Sequence, residues 1–203
     1  MREELTDTFG RIHKDLRISV TDRCNFRCTY CMPPEGLDWV PRDELLTFEE
    51  IERVSRLLVE QFGIESIRIT GGEPTVRAHL PVLIEKLSQL PVDLSMTTNG
   101  ATLRTLSNDL VQAGLKRINI SLDSLRPDRF TELTLRDNLP QVLDGIQAAV
   151  DSGLNPVKVN MVVMAGVNDD EIIDFARFGR EYGVIIRFIE FMPLDASEGW
   201  TTG

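Results

Sequence analysis

Ser66-Ile67-Arg68-Ile69-Thr70-Gly71-Gly72-Glu73-Pro74 alternates polar and apolar residues, then breaks into two glycines and a proline. Successive side chains of a β-strand point to opposite faces, so Arg68 and Thr70 share one face while Ile69 lies on the other. The alternation recurs in residues 16–20, 93–98, 117–122, 157–163 and 184–190. Arg17 pairs in phase with Ser19, Ser95 with Thr97, Asn119 with Ser121, and Lys158 with Asn160. The intervening Ile18, Ile118, Ile120, Val157 and Val159 are apolar. Strands of a helix-covered parallel sheet are normally apolar on both faces, and burying a polar face under helices is costly. A curved sheet whose polar face lines a lumen avoids that cost when the lumen holds a polar ligand. The fold class is therefore read as α/β, an open partial TIM barrel of the (β/α)6 type.

Helical patterns fill the gaps between these strands. Thr47-Phe48-Glu49-Glu50 has the form of a capping box; it opens a helix with apolar Ile51, Val54, Leu57 and Leu58, stopped by Gly63. Further helices are expected over 80–90, 103–113, 139–152 and 170–182, with Gly114, Gly153 and Gly183 closing three of them. Repeated strand–helix units imply a parallel sheet. No low-complexity linker divides the chain, so residues 1–203 are read as one domain.

The chain has 203 residues and a net charge of −10, which argues against a general nucleic-acid surface. No apolar run approaches the roughly 20 residues of a membrane helix. Met1-Arg2-Glu3-Glu4-Leu5 lacks the apolar core of a signal peptide. Cytoplasm is the expected location, and there thiols stay reduced.

All three cysteines fall in one segment, Cys24-x3-Cys28-x2-Cys31, with Tyr30 before the last. A disulfide would strand one of them. A structural zinc site needs four closed ligands, and neither His13 nor His79 has ligand-like spacing to the triad. Three thiolates fill three corners of a 4Fe–4S cube and leave one iron for a small molecule. The iron–sulfur reading stands ahead of zinc, and both stand ahead of a disulfide.

Glycine-rich and polar segments collect at strand C-termini, where ligand sites of parallel α/β folds form. They are the cysteine loop, Gly71-Gly72-Glu73-Pro74, Thr98-Asn99-Gly100, Ser121-Leu122-Asp123 and Phe191-Met192-Pro193. Arg17, Arg68 and Lys158 point into the lumen, and Arg187 is a weaker candidate, in conflict of phase with Met192 unless the strand bends or ends between them. Several cations gathered in an acidic chain suggest an anionic ligand such as a phosphate ester.

The cysteine motif with Tyr30, followed one unit later by Gly-Gly-Glu-Pro, resembles the radical S-adenosylmethionine (SAM) enzymes. Asp22-Arg23-Cys24-Asn25-Phe26-Arg27-Cys28, Arg68-Ile69-Thr70-Gly71-Gly72-Glu73-Pro74, Thr97-Thr98-Asn99-Gly100, Asn119-Ile120-Ser121-Leu122-Asp123 and Arg187-Phe188-Ile189-Glu190-Phe191-Met192 resemble the GTP 3′,8-cyclase family within it.

That resemblance implies that Cys24, Cys28 and Cys31 hold a 4Fe–4S cluster and that SAM binds its fourth iron. It implies cofactor contacts at Tyr30, Gly72, Ser121 and Met192, and GTP contacts at Arg17, Arg68, Thr97 and Lys158. The implied reaction is a lyase step of molybdenum-cofactor biosynthesis. A 5′-deoxyadenosyl radical takes hydrogen from C3′ of GTP, and the sugar radical closes on C8. Expected partners are GTP as substrate, a one-electron reductant protein and, as an option, a second copy in a homodimer. No nucleic acid and no membrane are expected. The family's second cysteine set, C-x2-C…C, and its terminal Gly-Gly have no counterpart here. The chain is therefore expected to be an N-terminal radical SAM core without the second-cluster domain.

Overall fold

The structure, a computed structural model, describes residues 3–192. Six strands form one sheet in sequential order: β1 (Asp15–Ser19), β2 (Ser66–Thr70), β3 (Asp93–Thr98), β4 (Arg117–Ser121), β5 (Val157–Val163) and β6 (Ile185–Glu190). Every neighbouring pair is parallel. Sequential order distinguishes this sheet from a doubly wound one, whose strand order reverses at a switch point. Helices α1 (Phe48–Phe62), α2 (Leu80–Ser88), α3 (Leu103–Gln112), α4 (Pro127–Thr134), α5 (Leu139–Asp151) and α6 (Ile172–Tyr182) follow in turn. The expected open (β/α)6 architecture is the one observed.

The core lies between the apolar face of the sheet and the helices. Ile67, Ile69, Met96, Ile118, Ile120, Val159 and Met161 are almost wholly buried there. Burying one such side chain stabilises the fold by about 1.5–3 kcal/mol. The opposite face is polar, and the register aligns it in rows. Arg17, Arg68, Ser95 and Arg117 stand level across β1 to β4. Thr97, Asn119 and Lys158 form the next row, and Ser121, Asn160 and Arg187 the row above it. Arg187 thus lies on the lumen face. The strand ends at Glu190, before Met192, which removes the conflict of phase.

Local signals fixed most element ends. Thr47 and Glu50 form the expected capping box, and Gly63 closes α1 at φ 70°, in the left-handed region. The buried stripe of α1 is Ile51, Ser55 and Val59. Val54 and Leu57 are about half exposed, so two of the four apolar positions face outward while Ser55 is buried. Helix α4 was not anticipated. It begins at Pro127, fixed for a first helical turn, within a polar segment that hides its amphipathic stripe of Phe130, Leu133 and Thr134.

Candidate functional site

The cysteine loop runs from the end of β1 across the C-terminal mouth of the barrel. Its Arg27 and Thr29 amides donate to the carbonyls of Thr134 (3.0 Å) and Leu133 (2.9 Å), at the end of α4. Arg136 Nε donates to the Asn25 carbonyl at 2.8 Å. Phe26 packs edge-on against Phe130, with centroids 5.9 Å apart. Arg27 bonds the carbonyls of Cys24 (2.7 Å) and Phe26 (2.8 Å) and lies over the Trp39 ring. The unanticipated helix is therefore the seat of the loop.

Cys24 and Cys28 are half-buried, and Cys31 is exposed. Burial raises all three thiols above their ordinary range, Cys28 to about 12. Asp123 and the other two cysteines add to the shift at Cys28. Cys24 Sγ accepts from the Phe26 amide at 3.3 Å, and Asn99 Nδ2 lies 4.0 Å from it. Amide donors to cysteine sulfur tune iron–sulfur clusters. Among the described residues no three His, Cys, Asp or Glu side chains close on a single metal-ion position. His13 pairs instead with Asp7 at 3.5 Å. Three clustered thiols whose ionised forms burial disfavours suit a positively charged group that accepts thiolates. The donor set fits a cluster held at Cys24, Cys28 and Cys31.

Gly71 and Gly72 bind this loop to β2. The Gly72 amide donates to the Thr21 carbonyl at 2.7 Å, and the Glu73 amide to the Arg23 carbonyl at 2.8 Å. A Cβ at Gly72 would collide with the carbonyl oxygens of Asp22 and Arg23. The close approach that requires glycine here is made by the chain itself. Glu73 was not singled out from the sequence as a functional side chain. It is buried (1% exposed) and accepts from Thr75 N (3.0 Å), Thr75 Oγ1 (2.6 Å), Thr98 Oγ1 (2.7 Å) and Asn99 N (2.6 Å). It joins the ends of β2 and β3, yet burial still holds its carboxyl above the usual carboxylate range. Asn99 is in turn bonded to Asn25 at 2.7 Å.

Tyr30 and Ser121 lie at the same mouth. The Tyr30 hydroxyl donates to Asp123 Oδ2 at 2.5 Å, and burial pushes both groups up. Met192, just beyond β6, is half exposed, and residues from Pro193 onward lie outside those described.

Below the mouth, Arg68, Ser95, Arg117, Asn119 and Lys158 line one small pocket. The Nε atoms of Arg68 and Arg117 are buried without a partner, as is Asn160 Oδ1. Burial, reinforced by Arg17, Arg187 and Arg117, lowers the Arg68 pKa. Arg187 acts on Arg68 although three strands lie between theirs, a distance of about 19 Å in a flat sheet. The sheet must curve to bring them together. Arg17, Arg68, Thr97 and Lys158 all reach this lumen face. Arg117 was missed in the sequence, although the alternation that places Asn119 and Ser121 inside places Arg117 there too. It also pairs with Asp93.

The Radical SAM superfamily profile matches residues 18–179. A GTP 3′,8-cyclase of Streptomyces coelicolor is 52% identical over 198 residues, 97% of this chain and 58% of the relative. One from Rhodopirellula baltica is 49% identical, over 97% of this chain and 55% of the relative. The chain thus spans a little over half the length of these curated relatives. Among solved structures, Streptococcus suis SuiB superposes with TM-score 0.74 at 18% identity, over 94% of this chain and 42% of SuiB. The anSMEcpe protein with bound AdoMet gives 0.71 at 19%, over 91% and 51%. These two show the fold alone. The profile covers most of the chain, including the cysteine loop, the end of β1 and the whole of β2 to β5: the chain belongs to the radical SAM superfamily.

Proposed function

We propose that this chain is the SAM-binding core of a GTP 3′,8-cyclase. The lumen carries the reading: five cations converge in a chain of net charge −10, and two of their guanidinium Nε groups are buried without partners. Unpaired buried donors are costly, and a polyanionic ligand would satisfy them. The identity to GTP 3′,8-cyclases supports the same substrate.

In this reading Cys24, Cys28 and Cys31 hold the 4Fe–4S cluster, and SAM lies against Tyr30, Gly72, Ser121 and Met192. The bound pair supplies one-electron reductive cleavage of a carbon–sulfur bond. The chain's residues do the positioning. Arg17, Arg68 and Arg117 in the deepest row, with Lys158 one row above, hold the phosphates by charge-assisted hydrogen bonds, while Arg187 stands level with Ser121. Thr97 offers a hydroxyl one row nearer the mouth. Two residues of strand advance about 6.6 Å, so the Arg68 row stands about 13 Å below Ser121. That depth suits a nucleotide with its phosphates down and its sugar toward the cysteines. Orientation of this kind is worth several kcal/mol of barrier. Electrons would come from a reductant protein. No described helix is long and apolar enough to cross a membrane. Residues 1–203 act as one domain in this proposal, and pairing of two copies remains part of it.

Anaerobic reconstitution should yield about four irons and four sulfides per chain, and reductant with SAM should release 5′-deoxyadenosine. Lys158→Ala should keep the cluster and weaken GTP binding. Tight zinc without a cluster refutes the radical reading; unchanged GTP affinity refutes the cation assignment.

A further inference from the structure

The Tyr30 side chain leaves the cysteine loop and crosses the barrel mouth. Its hydroxyl reaches Asp123, beyond the end of β4, at 2.5 Å. Its ring meets Phe191, beyond the end of β6, edge-on at 6.2 Å between centroids. Asp123 is 5% exposed. One carboxylate oxygen takes the Tyr30 hydroxyl, and the other takes the Val162 amide at 2.8 Å.

The backbone of Asp123 is held as firmly as its side chain. Asn168, wholly buried, donates to the carbonyls of Asp123 and Val162, both at 2.8 Å, and accepts from the Met164 amide at 2.7 Å. Glu171, also wholly buried, accepts from Ser124 Oγ (2.8 Å) and the Leu125 amide (2.7 Å) and pairs with Arg129 at 2.6 Å. The turn after β4 is thus fixed by the turn after β5.

The other anchors described above act on the loop before Tyr30: Gly72 and Glu73 hold Thr21 and Arg23, Asn99 and Arg136 hold Asn25, and the end of α4 holds Arg27 and Thr29. After Thr29 the chain closes a turn on itself, with the amides of Cys31 and Met32 both donating to the Cys28 carbonyl. The Tyr30 side chain ties this half of the loop to the barrel. Of its two attachments, Asp123 stands two residues after Ser121 and Phe191 immediately before Met192.

We propose that Asp123 is a positioning residue of the SAM site, acting through the Tyr30 hydroxyl, and that Asn168 holds Asp123 in place for this. The inference rests on the radical SAM reading. The latch sets the third cysteine and Tyr30 relative to the ends of β4 and β6.

The test uses the reconstituted chain and three variants. SAM affinity is measured by equilibrium dialysis, and the EPR signal of the reduced cluster is recorded with and without SAM. Iron content and thermal midpoint report folding. Tyr30→Phe removes a hydrogen bond to a carboxylate and should raise the SAM dissociation constant about tenfold, with a smaller EPR response to SAM and normal iron content. Asp123→Asn keeps one carbonyl oxygen for the Val162 amide and turns its NH2 toward the Tyr30 oxygen. The contact survives with its direction reversed, so the loss should be only a few-fold. In the Tyr30→Phe background, Asp123→Asn should add nothing, because residues that act through one contact are not additive. Wild-type affinity and EPR response in Tyr30→Phe would overturn the latch, as would additive losses in the double variant. If wild type itself takes up no cluster or no SAM, the superfamily function fails first; if wild type binds both and Tyr30→Phe matches it, only the latch fails.

Discussion

Gly72→Ala tests whether the glycine pair serves the chain's own packing. The φ of Gly72 lies outside the left-handed region, so alanine meets no conformational penalty there; the obstacle is space. The added Cβ would sit 2.6 Å from the Arg23 carbonyl carbon and closer still to the Asp22 and Arg23 oxygens. Restoring ordinary contact of about 3.5 Å parts the two segments by about 1 Å. The bonds Gly72 N to Thr21 O (2.7 Å) and Glu73 N to Arg23 O (2.8 Å) span that same seam. Such a shift carries both beyond the hydrogen-bond range. Losing two backbone bonds costs about 1–3 kcal/mol, and the overpacking costs about 1–3 kcal/mol more. The thermal midpoint should fall by roughly 5–15 °C for a chain of this size. Iron incorporation should fall with it, because Arg23 adjoins Cys24. Gly153→Ala is the control: its Cβ meets nothing within 4 Å, but φ is +89°, so only a conformational cost of roughly 1 kcal/mol applies. Equal losses in the two variants, by calorimetry and iron assay, would refute the steric account.

Arg117→Ala should weaken GTP binding about tenfold or more while leaving iron content intact, since a charged contact to phosphate is lost; unchanged affinity by equilibrium dialysis would remove Arg117 from the site. Cys28→Ala should abolish both the cluster's absorbance and 5′-deoxyadenosine release, and retention of either would contradict the ligand assignment. Glu73→Gln tests a pH dependence. Burial holds the Glu73 carboxyl above its ordinary value of 4.5. A raised carboxyl contributes stability fully below that value and loses it as pH rises through the folded-state pKa. Glutamine has no such loss, so the urea midpoint of the variant should gain on wild type as pH rises above the ordinary carboxyl value of 4.5. A gap independent of pH would show that the four donors outweigh burial.

The barrel was legible because its polar face repeats on five strands. One strand such as Ser66–Thr70 leaves phase uncertain; the pairs Arg17/Ser19, Ser95/Thr97 and Lys158/Asn160 fix it by agreement. Arg117 could have been found from the same parity, since the expected strand over 117–122 already includes it. Register places it level with Ser95 on the lumen face. Glu73 and Asp123 were hidden for a different reason. Both stand in motifs that draw attention to their glycines or serine, and each acts through partners far along the chain: Glu73 through Thr98 and Asn99, Asp123 through Tyr30, 93 positions earlier. Periodicity reports which face a residue takes. It carries no information on which distant donor meets a buried carboxylate, because that is set by sheet closure. Helix α4 escaped notice for a related cause: its eight residues are too few for a strong 3.6-residue period. Yet α4 receives the cysteine loop, and its preceding turn carries Asp123. Spacing therefore identified the groups that meet the cofactor, while the elements that hold those groups in place emerged only from the assembled sheet.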